Sequence, residues 1–91
     1  MDKNIRLGII GTGNMGYAIL EGLLDQSVVS PANIWACDVD ESRLQYLSDT
    51  YHIHILKQMD ELLMQCQVVI LAVKPQMFSQ IFKNHQHAFR A

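Results

Sequence analysis

The 91-residue sequence predicts an α/β fold, a doubly wound parallel sheet of about four strands in the order 3-2-1-4. Three observations carry that expectation. Short β-like runs alternate with helix-like runs along the chain. A glycine hexapeptide, Gly11-Thr12-Gly13-Asn14-Met15-Gly16, lies between the first β-like run and the first helical one. The run Val68 to Val73 is apolar throughout, as in a parallel strand covered on both faces.

Taken in order, Ile5 to Ile10 reads as the first strand, rich in branched residues. Met15, Ala18, Ile19, Gly22 and Leu23 follow at three- and four-residue spacing, which predicts one apolar helix face. Ser30-Pro31 ends that segment, because the residue before proline is driven out of helical geometry. Ile34 to Cys37 is a short second strand, closed by Asp38. Glu41 to Tyr51 carries Leu44, Leu47 and Tyr51 at helical spacing, with Asp40 as its cap. His52-Ile53-His54-Ile55 alternates polar and apolar, the pattern of an edge strand with one face in water. Asp60 to Met64 predicts a short helix, Val68 to Val73 the fourth strand, and Gln76 to Lys83 the start of another helix.

Right-handed crossovers reduce this β-α repeat to the 3-2-1-4 order. The third strand then lies at one edge, in keeping with its alternation. The fourth lies at the other, at odds with its wholly apolar sequence. A further segment after Ala91, or another chain, is therefore expected beside it, and its edge or adjacent helix is the expected surface for self-association.

Bulk properties narrow the class. Hydrophobic residues make up 49% of the chain and charged residues 18%, which fits a globular domain rather than a disordered one. A net charge of −2, with Lys and Arg scattered singly, provides no basic patch for nucleic acid. The two cysteines, Cys37 and Cys66, have no paired spacing and suit a reducing compartment. With no apolar run of membrane-spanning length and no signal-peptide core, a cytoplasmic location is expected. Residues 1–91 read as one domain, with 84–91 a candidate disordered tail.

The glycine segment is the strongest chemical signal, because its strand-to-helix context gives the pattern a mechanism. Gly11 supplies a tight turn, Gly13 admits a pyrophosphate close to the backbone, and Gly16 lets the helix pack on its strand. The helix N-terminus adds unpaired amides and a positive dipole end. In a 3-2-1-4 sheet the ligand crevice opens between the first and fourth strands, where this turn meets Leu71-Ala72-Val73-Lys74-Pro75-Gln76. Lys74 reads equally as a phosphate contact or a solvated loop lysine. Asp38, 27 residues after Gly11, stands where a carboxylate accepts the ribose hydroxyls of NAD and repels the 2′-phosphate of NADP. Its alternative is a capping or turn aspartate. Arg43 reads as a surface residue before a phosphate ligand.

No metal site is expected. His52 and His54 would share a strand face, but with His85 and His87 they read better as solvent-facing histidines. Cys37 adjoins the crevice without any mark of an activated nucleophile. No catalytic triad or dyad is visible.

Gly11-Thr12-Gly13-Asn14-Met15 together with Leu71 to Gln76 resembles the N-terminal, Rossmann-like domain of pyrroline-5-carboxylate reductases, along nearly all of residues 4–83. The resemblance implies reduction of 1-pyrroline-5-carboxylate to proline by hydride transfer from NAD(P)H. It implies a dinucleotide held by Gly11, Thr12, Gly13, Asn14 and Met15, with Ala72, Val73, Lys74 and Pro75 along the nicotinamide side. It further implies a helical C-terminal domain that forms the dimer and supplies much of the imino-acid pocket. That domain lies outside these 91 residues, so no catalytic residue is assigned and the chain alone is expected not to catalyse. Two positions depart from the pattern. Val39-Asp40 replaces an arginine that meets the 2′-phosphate in many relatives, and Met59 replaces a frequent asparagine. With Asp38 they lean the cofactor toward NAD(H). The alternatives are a β-hydroxyacid dehydrogenase-like or F420-dependent NADP reductase-like cofactor domain, or a non-catalytic nucleotide-binding module.

Overall fold

A computed structural model describes residues 4–84. The strands are β1 (Leu7–Ile10), β2 (Ile34–Cys37), β3 (His54–Leu56) and β4 (Val68–Leu71), all parallel, in the order β3-β2-β1-β4. The helices are α1 (Asn14–Asp25), α2 (Glu41–Tyr51), α3 (Met59–Gln65) and α4 (Phe78–Asn84), with single 3-10 turns at Pro31–Asn33 and Pro75–Met77. Register is set through β1, where Leu7 lies opposite both Ile34 and Val68, and Ile10 opposite both Cys37 and Leu71. The ladder continues past the strand ends, with Gly11 N donating to Cys37 O at 2.9 Å and Ala72 N to Ile10 O at 2.8 Å. That continuation draws both candidate turns toward the carboxyl end of β1.

Side chains alternate across the sheet. Leu7, Ile9, Ile34 and Ala36 face α1 and α2, forming the larger core with Leu20, Val29, Leu44, Leu47 and Ile53. Ile10 and Cys37 face the other way, onto Leu62 and Leu63 of α3.

Four expectations change. The first strand begins at Leu7 rather than Ile5, because Arg6 is turned toward the β4 side: its carbonyl accepts from Gln67 N at 2.9 Å and its amide donates to Gln67 Oε1 at 2.9 Å. The buried stripe of α1 is Gly16 and Leu20, with Tyr17, Ile19, Leu23 and Leu24 partly covered, whereas Met15, Ala18 and Gly22 are exposed. A Cβ on Gly16 would collide with the Gly11 carbonyl, so Gly16 must face the sheet and fixes the helix rotation.

The third strand starts at His54, because His52 ends α2 in the left-handed conformation (φ 60°). His52 and His54 therefore do not share a strand face. His54 instead stacks on Trp35, with ring centroids 4.7 Å apart, and places Nε2 2.9 Å from the Ala32 carbonyl oxygen. Finally, β4 ends at Leu71 and its residues are half-buried rather than fully covered. Val68 and Ile70 pack on the larger core and Val69 and Leu71 on the smaller, but β1 is the strand's only partner among the described residues. Of the tail 84–91, only Asn84 is described, as the end of α4; His85 and His87 lie outside the described residues.

Candidate functional site

The carboxyl ends of β1, β2 and β4 converge on one crevice. Gly11 takes φ 95°, a conformation open to glycine, and a Cβ there would lie 2.8 Å from both the Ala72 carbonyl oxygen and Val73 Cγ1. The glycine turn and the turn after β4 are thus in direct backbone contact. Gly13 differs. It caps α1 in an extended conformation that any residue can adopt, and among the described residues a Cβ would meet only an Arg43 guanidinium nitrogen, at 3.6 Å. Neither backbone geometry nor packing demands a glycine at 13. What its missing Cβ leaves is room in front of a helix N-terminus that no described side chain caps.

Two cavities flank the loop. The larger, about 550 Å³, is lined by Gly11, Asp38, Val39, Met59 and Val73 among others, and has the exposed Lys57–Glu41 ion pair (3.3 Å) on its wall. The smaller, about 360 Å³, is lined by Thr12, Gly13, Asn14, Tyr17, Arg43 and Tyr46. Ala72 is buried beside Gly11 and Gly16, while Met15, Lys74 and Pro75 are exposed and line neither cavity.

Asp38 is engaged within the protein. Its Oδ2 accepts from Thr12 N at 2.6 Å and Thr12 Oγ1 at 2.7 Å, and its Oδ1 accepts from Asp40 N at 2.9 Å. Partial burial pushes its carboxyl upward, but these bonds, with the Val39 amide, outweigh it and hold the group below the ordinary aspartate value. Thr12 is the buried polar residue at the centre of this arrangement, 2% exposed. Arg43 reaches it from α2, donating from Nη1 to the Thr12 carbonyl at 3.1 Å.

The arginine is the residue that sequence reasoning undervalued. Its signal was available: Asp40 caps α2 by accepting from Arg43 N at 3.0 Å, and a long side chain in a first helical turn leans back past the N-terminus. Burial, with the neighbouring Asp38 charge adding to it, raises the Cys37 thiol above its ordinary value, opposite to the shift that activates a thiolate. Burial pushes the Cys66 thiol up to about 11. No group of described His, Cys, Asp or Glu residues is arranged to hold a metal, and no described helix is long and apolar enough to cross a membrane.

A parallel sheet with a glycine turn at its switch point, an open helix N-terminus and a carboxylate ending β2 defines a Rossmann-like domain. The comparisons make that class particular. The chain belongs to the family described as NADP oxidoreductase, coenzyme F420-dependent, whose model matches residues 6–90.

Among curated relatives, it is 35% identical over 82 residues to the pyrroline-5-carboxylate reductase of Methanosarcina acetivorans, covering 90% of this chain and 30% of that one. The solved pyrroline-5-carboxylate reductase of Coxiella burnetii superposes with a TM-score of 0.83 at 23% identity, over 92% of this chain and 31% of the other. That of Plasmodium falciparum, solved with NADP bound, gives 0.79 at 22% identity, over 97% and 31%. The chain thus spans about 30% of the length of the relatives it matches.

Proposed function

We propose that this chain is the dinucleotide-binding part of a pyrroline-5-carboxylate reductase. The observation that carries the reading is the close approach of Gly11 to the Ala72 backbone and the Val73 side chain, which brings the two segments of the resemblance together. The residues fit such a cofactor: Gly13 leaves an open cradle at the α1 N-terminus, where a pyrophosphate would meet backbone amides and a positive dipole end. Met15, Lys74 and Pro75 are exposed, and in this reading Lys74 offers charge to a phosphate.

In this reading bound NAD(P)H supplies the hydride for reduction of 1-pyrroline-5-carboxylate to proline. The chain's own part is to bind and orient the dinucleotide across the crevice, with Ala72 and Val73 beside the nicotinamide. Positioning of the imino acid falls to a helical domain outside these residues, so the 91-residue chain alone does not turn over. The family description favours a second reading, a cofactor domain of an F420-dependent NADP reductase.

NAD(H) is the preferred cofactor. Asp38, Asp40 and Glu41 gather three carboxylates near the end of β2, and Lys57 is paired with Glu41. Val39, 99% exposed there, brings no charge to a 2′-phosphate. Calorimetric titration with NADH and NADPH is the test. NADH should bind at least as tightly as NADPH. Binding of neither would sink the reading, and a clear NADPH preference would sink its account of the carboxylates.

A further inference from the structure

Thr12 is held from two sides by groups of opposite charge, and this carries an inference about how the crevice is preset. On one side the Asp38 carboxylate accepts from the Thr12 amide and hydroxyl at 2.6 and 2.7 Å. On the other, the Arg43 guanidinium donates to the Thr12 carbonyl at 3.1 Å. The residue is 2% exposed, so these bonds form where water competes poorly.

Two consecutive peptide planes are thereby fixed. Asp38 sets the plane between Gly11 and Thr12, and Arg43 sets the one between Thr12 and Gly13. Because a trans peptide is planar, holding the Thr12 carbonyl toward Arg43 turns the Gly13 amide the opposite way. Gly11 and Gly13 would otherwise leave this loop with wide conformational freedom. Each clamping residue is itself secured: Asp38 by the Asp40 amide at 2.9 Å, and Arg43 through its own backbone amide on the Asp40 side chain at 3.0 Å.

We propose that Asp38 and Arg43 are an opposed pair of positioning residues, which preset the 11–13 backbone for a phosphate instead of contacting the ribose or 2′-phosphate directly. This rests on the dinucleotide reading above. Three of the acceptor positions on Asp38 are already taken by Thr12 and Asp40, and one Nη1–H of Arg43 is bonded to the loop.

The test asks whether each residue's contribution depends on the ligand group it would otherwise touch. Affinities of the 91-residue chain are measured for ADP and 2′,3′-dideoxy-ADP, and for NADH and NADPH. Asp38→Asn should weaken ADP and dideoxy-ADP by the same factor, on the order of tenfold for a lost charge-assisted bond. Arg43→Met should weaken NADH and NADPH equally. Thr12→Val, which keeps the side-chain shape, should show the same indifference to ribose hydroxyls, and Thr12→Ser should restore affinity. Thr12→Val also serves if Asp38→Asn does not fold.

A loss confined to ADP would make Asp38 a ribose ligand and overturn its part of the inference. A loss confined to NADPH would do the same for Arg43. In either case the dinucleotide reading would survive. No binding of any of the four ligands by the unaltered chain would overturn that reading and the inference with it.

Discussion

The two faces of the sheet are built on different terms. The face under α1 and α2 buries a continuous set of mostly branched and leucine side chains from both helices, from β1 and β2, and from the connecting residues Val29, Ile53 and Ala72. The face under α3 buries Ile10, Cys37, Leu62 and Leu63, and its remaining neighbours are only partly covered. The glycine turn belongs to the first face through Gly16 and Ala72. The larger cavity opens on the second, beside Met59, Met77 and Ile81. One side therefore fixes where the loop sits, and the other leaves space beside it. The dinucleotide-binding role proposed above would use that inequality, a fixed glycine turn beside an open crevice.

Two glycine substitutions should give the largest difference between the faces. Gly16→Ala drives a Cβ into the Gly11 carbonyl, which is backbone and cannot yield without breaking the turn. Its cost should be at least ~3 kcal/mol, a large share of a small domain's stability. Gly8→Ala points to α3, where a Cβ would lie 2.5 Å from Leu62 Cδ2 and 2.9 Å from Cys66 Sγ. Those are side-chain ends on the looser face, so a cost of about 1–2 kcal/mol is expected. Urea denaturation midpoints decide, and equal costs would remove the distinction.

Cavity-forming substitutions should sharpen the same contrast with a smaller spread. Leu20 and Leu62 are both fully buried, at 1% and 0% exposure. Leu20→Ala leaves a hole in the larger of the two buried clusters, which should cost about 3–4 kcal/mol. Leu62→Ala lets half-covered side chains such as Leu56 and Val69 move in, lowering the cost to about 2 kcal/mol. A Leu62→Ala loss as large as that of Leu20→Ala would show the α3 face to be equally rigid.

What the sequence made legible follows the same division. Strand order and the pairing of the two turns were readable, because they depend on alternation, glycine and proline, which act locally. The rotation of α1 was misread from apolar spacing, although Gly16, already assigned to packing, dictated it. The start of β3 was misread because His52 adopts a left-handed conformation that its neighbours in sequence do not announce. The partners of Asp38 were beyond reach for a different reason: Thr12 lies 26 residues away and meets it only after the sheet has formed. Arg43 was within reach, through its spacing from the Asp40 cap.

The smallest expected effect concerns the rim of the tighter face. The C-terminus of α1 closes with Ser27 N donating to Leu24 O at 3.1 Å and Val28 N to Leu23 O at 3.0 Å, a paired arrangement that places Ser27 at φ 52°. Glycine takes that conformation without the Cβ penalty that serine bears, although it also gives the unfolded chain more freedom. Ser27→Gly should therefore stabilise the domain by about 0.5–1 kcal/mol, read as a higher melting temperature with affinity for NADH unchanged. The turn it relaxes carries Val29 into the larger core, 2% exposed, and lies at the far end of α1 from Gly13. A gain in stability accompanied by weaker NADH binding would mean that the strain at Ser27 is transmitted along α1 to the glycine turn. The rigid face would then be tensioned from its rim as well as set by the contact between Gly16 and Gly11.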